Sequence, residues 1–201
     1  MTNTLFCAGY GYTAARFAAS IAEEWRVIGT TRSAEKADAM RAHGAEALLW
    51  DVDATPALPE AAHAILISTP PDGEGCPALK TFADQIAEQS ETVRWIGYLS
   101  TNGVYGNHDG AWVDEGSDLR PSSDRARRRV AAEARWVEFA EKYALPVVIF
   151  RLPGIYGPGR SALDTVRAGR ARRIVKEGQV FSRAHVDDIA AALRASLEHP
   201  T

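Results

Sequence analysis

Gly9-Tyr10-Gly11-Tyr12-Thr13-Ala14 follows the apolar run Leu5-Phe6-Cys7-Ala8 directly, the place where a strand turns into a helix and can hold a pyrophosphate. Gly9 permits the tight turn, Gly11 lets the backbone approach phosphate oxygens without a Cβ in the way, and the small Ala14 lets the helix pack close to the strand. The N–H groups of Tyr12 and Thr13 at the helix start would add partial positive charge for an anion. The other reading is a glycine turn used only for packing. Its position at the head of a βαβ unit favours the dinucleotide. The next strand ends in Gly29-Thr30-Thr31-Arg32-Ser33, where a carboxylate would bond a ribose 2′-hydroxyl and an arginine would accept a 2′-phosphate. With Arg32 there, and the Thr31 and Ser33 hydroxyls beside it, NADP(H) is favoured over NAD(H). The alternative is a solvated arginine opening the next helix. Asp51, in Leu49-Trp50-Asp51-Val52, either accepts from an adenine amino group or serves a turn. Thr69 and Pro70, in Ser68-Thr69-Pro70-Pro71, fall where open α/β sheets bind ligands, although the prolines also simply end a strand.

Short β-rich runs predict the strands that position these residues: Thr4–Ala8, Arg26–Thr31, Ala45–Trp50, Ala64–Ser68, Arg94–Ser100 and Val147–Arg151. Segments of helical period separate them: Tyr12–Glu24, Ala34–His43, Ala78–Ser90 and Asp124–Tyr143, with Val186–Glu198 after the last strand. Strands apolar on both faces and alternating with helices predict an α/β fold, a doubly wound parallel sheet of Rossmann type in three αβα layers. Gly154, Gly157, Pro158 and Gly159 predict a loop. Arg173–Val175 and Gln179–Ser182 around Glu177–Gly178 read as a short hairpin. No repeat or linker interrupts the chain, so residues 1–201 are expected to form one domain.

Composition removes several function classes. The 46% hydrophobic and 24% charged residues describe a globular chain. A net charge of −3 gives no global attraction to nucleic acid or an anionic membrane. No apolar run approaches the roughly 20 residues of a bilayer span. Residues 1–8 lack a basic flank and read as a strand rather than a signal peptide, so the expected location is the cytoplasm. Cys7 and Cys76 have neither disulfide-framework nor zinc-site spacing.

Four motifs in order give the chain a likeness to a known family. They are the glycine turn, Ser100-Thr101-Asn102-Gly103-Val104-Tyr105-Gly106, Arg151-Leu152-Pro153-Gly154-Ile155-Tyr156-Gly157-Pro158, and His185-Val186-Asp187-Asp188-Ile189-Ala190. In this the chain resembles the extended short-chain dehydrogenase/reductase family of nucleotide-sugar epimerase and dehydratase type. The resemblance implies a hydroxyl from Thr101, with Ser100 beside it, near the nicotinamide and the substrate oxygen, and it implies that Leu152-Pro153 lines the carboxamide. The family's acid–base pair is Tyr-x-x-x-Lys, whose lysine lowers the tyrosine pKa for proton exchange with the substrate. Aligned on Pro121 and Glu133, those positions hold Arg125 and Arg129. Arg129 could hold ribose hydroxyls, but a guanidinium of pKa above about 12 cannot exchange protons near neutrality.

Members of the family continue beyond the His-Val-Asp-Asp helix with a further substrate segment. The expectation here is a truncated or minimal substrate lobe to which residues 152–185 contribute. A homodimer through Ala78–Ser90 and Asp124–Tyr143 follows by analogy alone. Two readings of function stand: an oxidoreductase or epimerase acting on a hydroxyl or carbonyl of a small polar substrate, and a non-catalytic NADP(H)-binding redox-sensing or regulatory module.

The remaining constellations have simpler uses. Tyr98, Tyr105, Tyr156 and His108 could replace the missing tyrosine, but each fits a strand or loop motif first. The arginines at 125–129 with Arg135 lack interleaved aromatics and read as a solvated face beside an anionic site. His185, Asp187 and Asp188 read as a helix cap rather than metal ligands.

Overall fold

A computed structural model describes residues 2–51, 56–173, 175, 178 and 180–200. Six parallel strands form its main sheet: β1 (Asn3–Ala8), β2 (Trp25–Thr31), β3 (Glu46–Leu49), β4 (Ala64–Ile67), β5 (Trp95–Thr101) and β6 (Val147–Leu152). Their order is β3-β2-β1-β4-β5-β6, so the winding direction reverses between β1 and β4, each of which pairs in parallel with the other. This is the predicted doubly wound sheet, with a crevice at its switch point.

Both faces are buried because alternate side chains serve different layers. Leu5 and Cys7 of β1 point to α1 (Tyr12–Ile21), α2 (Ala34–Ala42) and α6 (Val186–Glu198), where Phe17, Met40 and Leu193 complete a cluster. Phe6 and Ala8 point to α3 (Pro77–Glu88) and α4 (Asp124–Tyr143), against Phe82, Ile86 and Trp136. Each fully buried side chain of this size contributes about 1.5–3 kcal/mol, which is why apolar run length located the strands. Burial pushes the Cys7 thiol up to about 12, leaving an inert packing group as its position in β1 implies.

Helix ends follow local chemistry. Ser33 caps α2 and Ser123 caps α4, each hydroxyl accepting the N–H three residues on. Ala144, at φ +51°, takes the left-handed turn that ends α4. α1 stops at Ile21, one turn before the predicted Glu24.

Beyond β6 the structure is more regular than the sequence predicts. β7 (Gly154–Tyr156) and β8 (Arg183–His185) form a separate parallel pair, and the predicted loop after Gly154 holds a short helix, α5 (Ala162–Arg167), behind a Ser161/Asp164 capping box. The predicted hairpin lies partly outside the described residues; Arg173, Val175 and residues 180–182 are without strand structure, and the strand that follows them pairs with β7 instead.

Candidate functional site

The glycine turn lies in the β1/β4 crevice. Gly9 has φ +90°, and a Cβ there would sit 3.1 Å from Thr69 Cγ2 and 3.2 Å from the Thr69 nitrogen, so only glycine fits. Its N–H donates to Thr30 Oγ1 at 2.7 Å, and that hydroxyl donates to the Cys7 carbonyl at 3.4 Å. Thr30 is 1% exposed and clamps the turn to β1 and β2. On the other wall the Ser68 and Thr69 N–H groups both donate to the Ala8 carbonyl, at 2.9 and 3.1 Å. Pro70, next along this wall, is exposed.

Gly11 is the N-cap of α1, with no side-chain cap and no acidic residue in the first turn. The first intrahelical bond is from Ala15 N–H to the Gly11 carbonyl, so the N–H groups of Tyr12, Thr13 and Ala14 precede the helix ladder, as at any helix start. Thr69 Oγ1 is buried without a hydrogen-bond partner. A cradle that a Cβ would fill, open helix donors and an orphaned hydroxyl together fit a dinucleotide pyrophosphate.

The rim of the expected adenosine end is mixed. Arg32 is exposed at the end of β2, and no carboxylate among the described residues pairs with it. Ser33 is occupied otherwise: its hydroxyl caps α2 through the Lys36 N–H at 3.3 Å, and its own N–H donates to Thr31 Oγ1 at 3.3 Å. Those hydroxyls shape the turn that presents Arg32. Asp51 is exposed directly after Trp50, whose N–H donates to the Thr31 carbonyl at 2.9 Å.

At the far end of the sheet, Thr101 closes β5 and caps the 3₁₀ turn Asn102–Val104 through the Gly103 N–H at 3.2 Å. It lines a cleft of about 1460 Å³ together with Tyr105, His108, Arg125, Arg151 and Pro153. Ser100 points elsewhere. Only 6% exposed, it donates to Glu133, which is 3% exposed and accepts Arg151 Nε and Nη2 at 3.1 and 2.9 Å. Arg151 Nη1 then donates to the Tyr105 hydroxyl at 3.1 Å, with the guanidinium carbon 5.1 Å from the ring centre. The sequence reading missed this network. The available signal was an acidic residue in phase with Ala126, Arg129 and Trp136 on the buried stripe of α4, since a buried charge requires a partner.

The two arginines at the family's acid–base positions separate. Arg125 is exposed on the cleft wall. Arg129 is 8% exposed and donates through Nη1 to the Leu99 carbonyl at 2.5 Å and the Tyr98 hydroxyl at 3.4 Å. That nitrogen is committed to β5 rather than to the cleft. Burial pushes the Tyr98 hydroxyl up to about 12, the nearby Arg129 charge offsetting it in part, so Tyr98 is a core residue. Tyr156 is 40% exposed and lies edge-on to His185, ring centres 5.1 Å apart. His185 caps α6 by accepting the Asp187 N–H at 3.3 Å, and Arg16 holds the Asp187 carboxyl below its usual range by hydrogen bonding. Among the described residues no group of three or more metal-ligating side chains gathers, and no helix is long and apolar enough to cross a membrane.

These features agree with comparisons to known proteins. A solved structure of a functionally unknown conserved protein from Silicibacter pomeroyi DSS is 49% identical, with a TM-score of 0.92 over 100% of this chain and 70% of that one. The dTDP-glucose 4,6-dehydratase of Bacillus anthracis, solved with NAD, shares the fold at a TM-score of 0.78 and 16% identity, over 99% of this chain and 72% of that one. Human dTDP-D-glucose 4,6-dehydratase is 39% identical over 72 residues, 36% of this chain and 20% of the relative. The match thus spans about a fifth of that curated relative's length. The model of the NAD dependent epimerase/dehydratase family matches residues 84–201, more than half of the chain. The chain belongs to the NAD dependent epimerase/dehydratase family.

Proposed function

We propose that this protein binds a nicotinamide dinucleotide across the β1/β4 crevice, NADP(H) in preference to NAD(H), and carries out oxidoreductase or epimerase chemistry on a hydroxyl or carbonyl of a small polar substrate. The carrying observation is the crevice itself: Gly9 against Thr69, open donors at the head of α1, and the orphaned Thr69 hydroxyl. Gly11, Tyr12 and Thr13 would hold the pyrophosphate, Arg32 the 2′-phosphate, Asp51 the adenine, and Pro70 and Pro153 the walls. Bound nicotinamide would supply hydride transfer. Thr101 would orient the substrate oxygen in the cleft, whose further wall is the 152–185 lobe of the same domain.

Arg129 fixes the end of β5 in this reading, and Arg125 is one of several charged groups of the cleft wall, with Asp114, Glu115 and Arg151. With arginine at both positions, proton exchange falls to solvent, to the substrate's own groups or to His108 or Tyr105, which line the cleft. The second reading, a cytoplasmic NADP(H) sensor that does not turn over, is favoured by the burial of Arg129 against the Leu99 carbonyl. Turnover separates the two. Nicotinamide absorbance for net oxidation or reduction, with product analysis for redox-neutral epimerisation, followed with sugar nucleotides and simple hydroxy or keto compounds should show a rate that falls about a hundredfold or more in Thr101→Val, on the scale of one lost positioning hydrogen bond in the transition state. Cofactor binding without turnover on any of them favours the sensor.

A further inference from the structure

The loop after β7 folds back onto the first residue of α1. Gly157 and Arg160 exchange backbone hydrogen bonds at 3.2 and 3.0 Å, closing the turn Gly157-Pro158-Gly159-Arg160. The Tyr12 hydroxyl donates to the Pro158 carbonyl at 3.0 Å. A Cβ on Gly157, at φ +157°, would lie 2.6 Å from that hydroxyl and 2.7 Å from Val186 Cγ1, so the turn is seated tightly. Arg160 holds its guanidinium carbon 5.5 Å from the centre of the Tyr12 ring. It is exposed and forms no ion pair among the described residues.

This places a cation against the side chain of the first residue of a helix that has neither an acidic residue in its first turn nor a side-chain cap. Such a placement is electrostatically unfavourable until an anion occupies the space between. We infer that Arg160 and Tyr12 form a clamp on the dinucleotide: Arg160 pairs with its pyrophosphate, and the Tyr12 hydroxyl holds the Gly157–Arg160 turn closed over it. This rests on the cofactor reading above and adds residues from the far end of the chain to the site. Arg160 would act on the pyrophosphate common to both cofactors, Arg32 on the 2′-phosphate of one.

The test is a calorimetric titration of NADH and NADPH into the full chain and its Arg160→Ala, Arg160→Lys and Tyr12→Phe variants, at low and moderate salt. Arg160→Ala is expected to weaken both nucleotides about tenfold and to flatten the salt dependence, with lysine restoring most of the loss. Tyr12→Phe is expected to weaken both about threefold, through faster dissociation. Arg160→Ala binding both nucleotides as wild type does would overturn the clamp, as would a loss confined to NADPH, which would put Arg160 on the 2′-phosphate. Failure of wild type to bind either nucleotide would instead overturn the underlying cofactor reading.

Discussion

Replacing Glu133 by leucine is expected to cost about 3 kcal/mol of stability and to lower the melting temperature by roughly 6–12 °C. The carboxylate is 3% exposed and serves Ser100 on β5 and Arg151 on β6 at once. Removing it leaves a hydroxyl without its acceptor and a guanidinium, its side chain 21% exposed, without its counter-charge. Because Arg151 retains some access to water, the loss belongs at the lower end for a broken buried pair. The double variant Glu133→Leu/Arg151→Met should recover at least about 1 kcal/mol relative to the single change, since no charge is then left stranded. Urea unfolding of wild type, both singles and the double gives the cycle. A single variant within about 0.5 kcal/mol of wild type would show that the network carries no such load. Thr101 follows Ser100 directly, so the same variant should also loosen the cleft wall.

Gly9→Ala is expected to weaken dinucleotide binding about a hundredfold, or about 2.7 kcal/mol, while the protein still folds. An L-residue at φ +90° costs about 1–3 kcal/mol, and the new methyl meets Thr69 at 3.1 and 3.2 Å. Both are relieved by moving the turn out of the crevice. That shift breaks the Gly9 N–H to Thr30 bond and takes the helix donors away from their phosphate position. Titration of NADPH, with circular dichroism to establish retained helix, reads the effect. Affinity within about threefold of wild type would mean that the nucleotide does not use this turn.

Strand and helix identities were legible in the sequence because the central strands β1, β4 and β5 are buried along nearly their whole length. An uninterrupted run such as Ala64–Ile67, all four residues fully buried, has no other use at that length. The glycine turn was legible for a related reason: its constraint is local and steric. The β7/β8 pair was not, since Gly154–Tyr156 and Arg183–His185 are three residues each and show no period. α5 was missed although Ser161 and Asp164 carry a capping box, because Gly157, Pro158 and Gly159 just before it read as a continuing loop. Site residues divided in the same way. Thr30 and Glu133 act through partners remote in sequence, and Arg160 meets Tyr12 only after the chain has crossed the sheet. Ser100 and Arg129, read from motif position as cleft residues, donate instead to Glu133 and to the Leu99 carbonyl. Motif spacing places a side chain on an element, but only its surroundings decide which way it points.

A dinucleotide site at the β1/β4 crevice, with Arg32 on the 2′-phosphate, is open to a titration of NADPH and NADH into wild type and Arg32→Ala. Both nucleotides should bind wild type saturably, NADPH the tighter, with Arg32→Ala weakening NADPH by about tenfold, or about 1.4 kcal/mol, and leaving NADH unchanged. No binding of either nucleotide to wild type at millimolar concentration would contradict it, and equal weakening of both by Arg32→Ala would contradict the assignment of the 2′-phosphate.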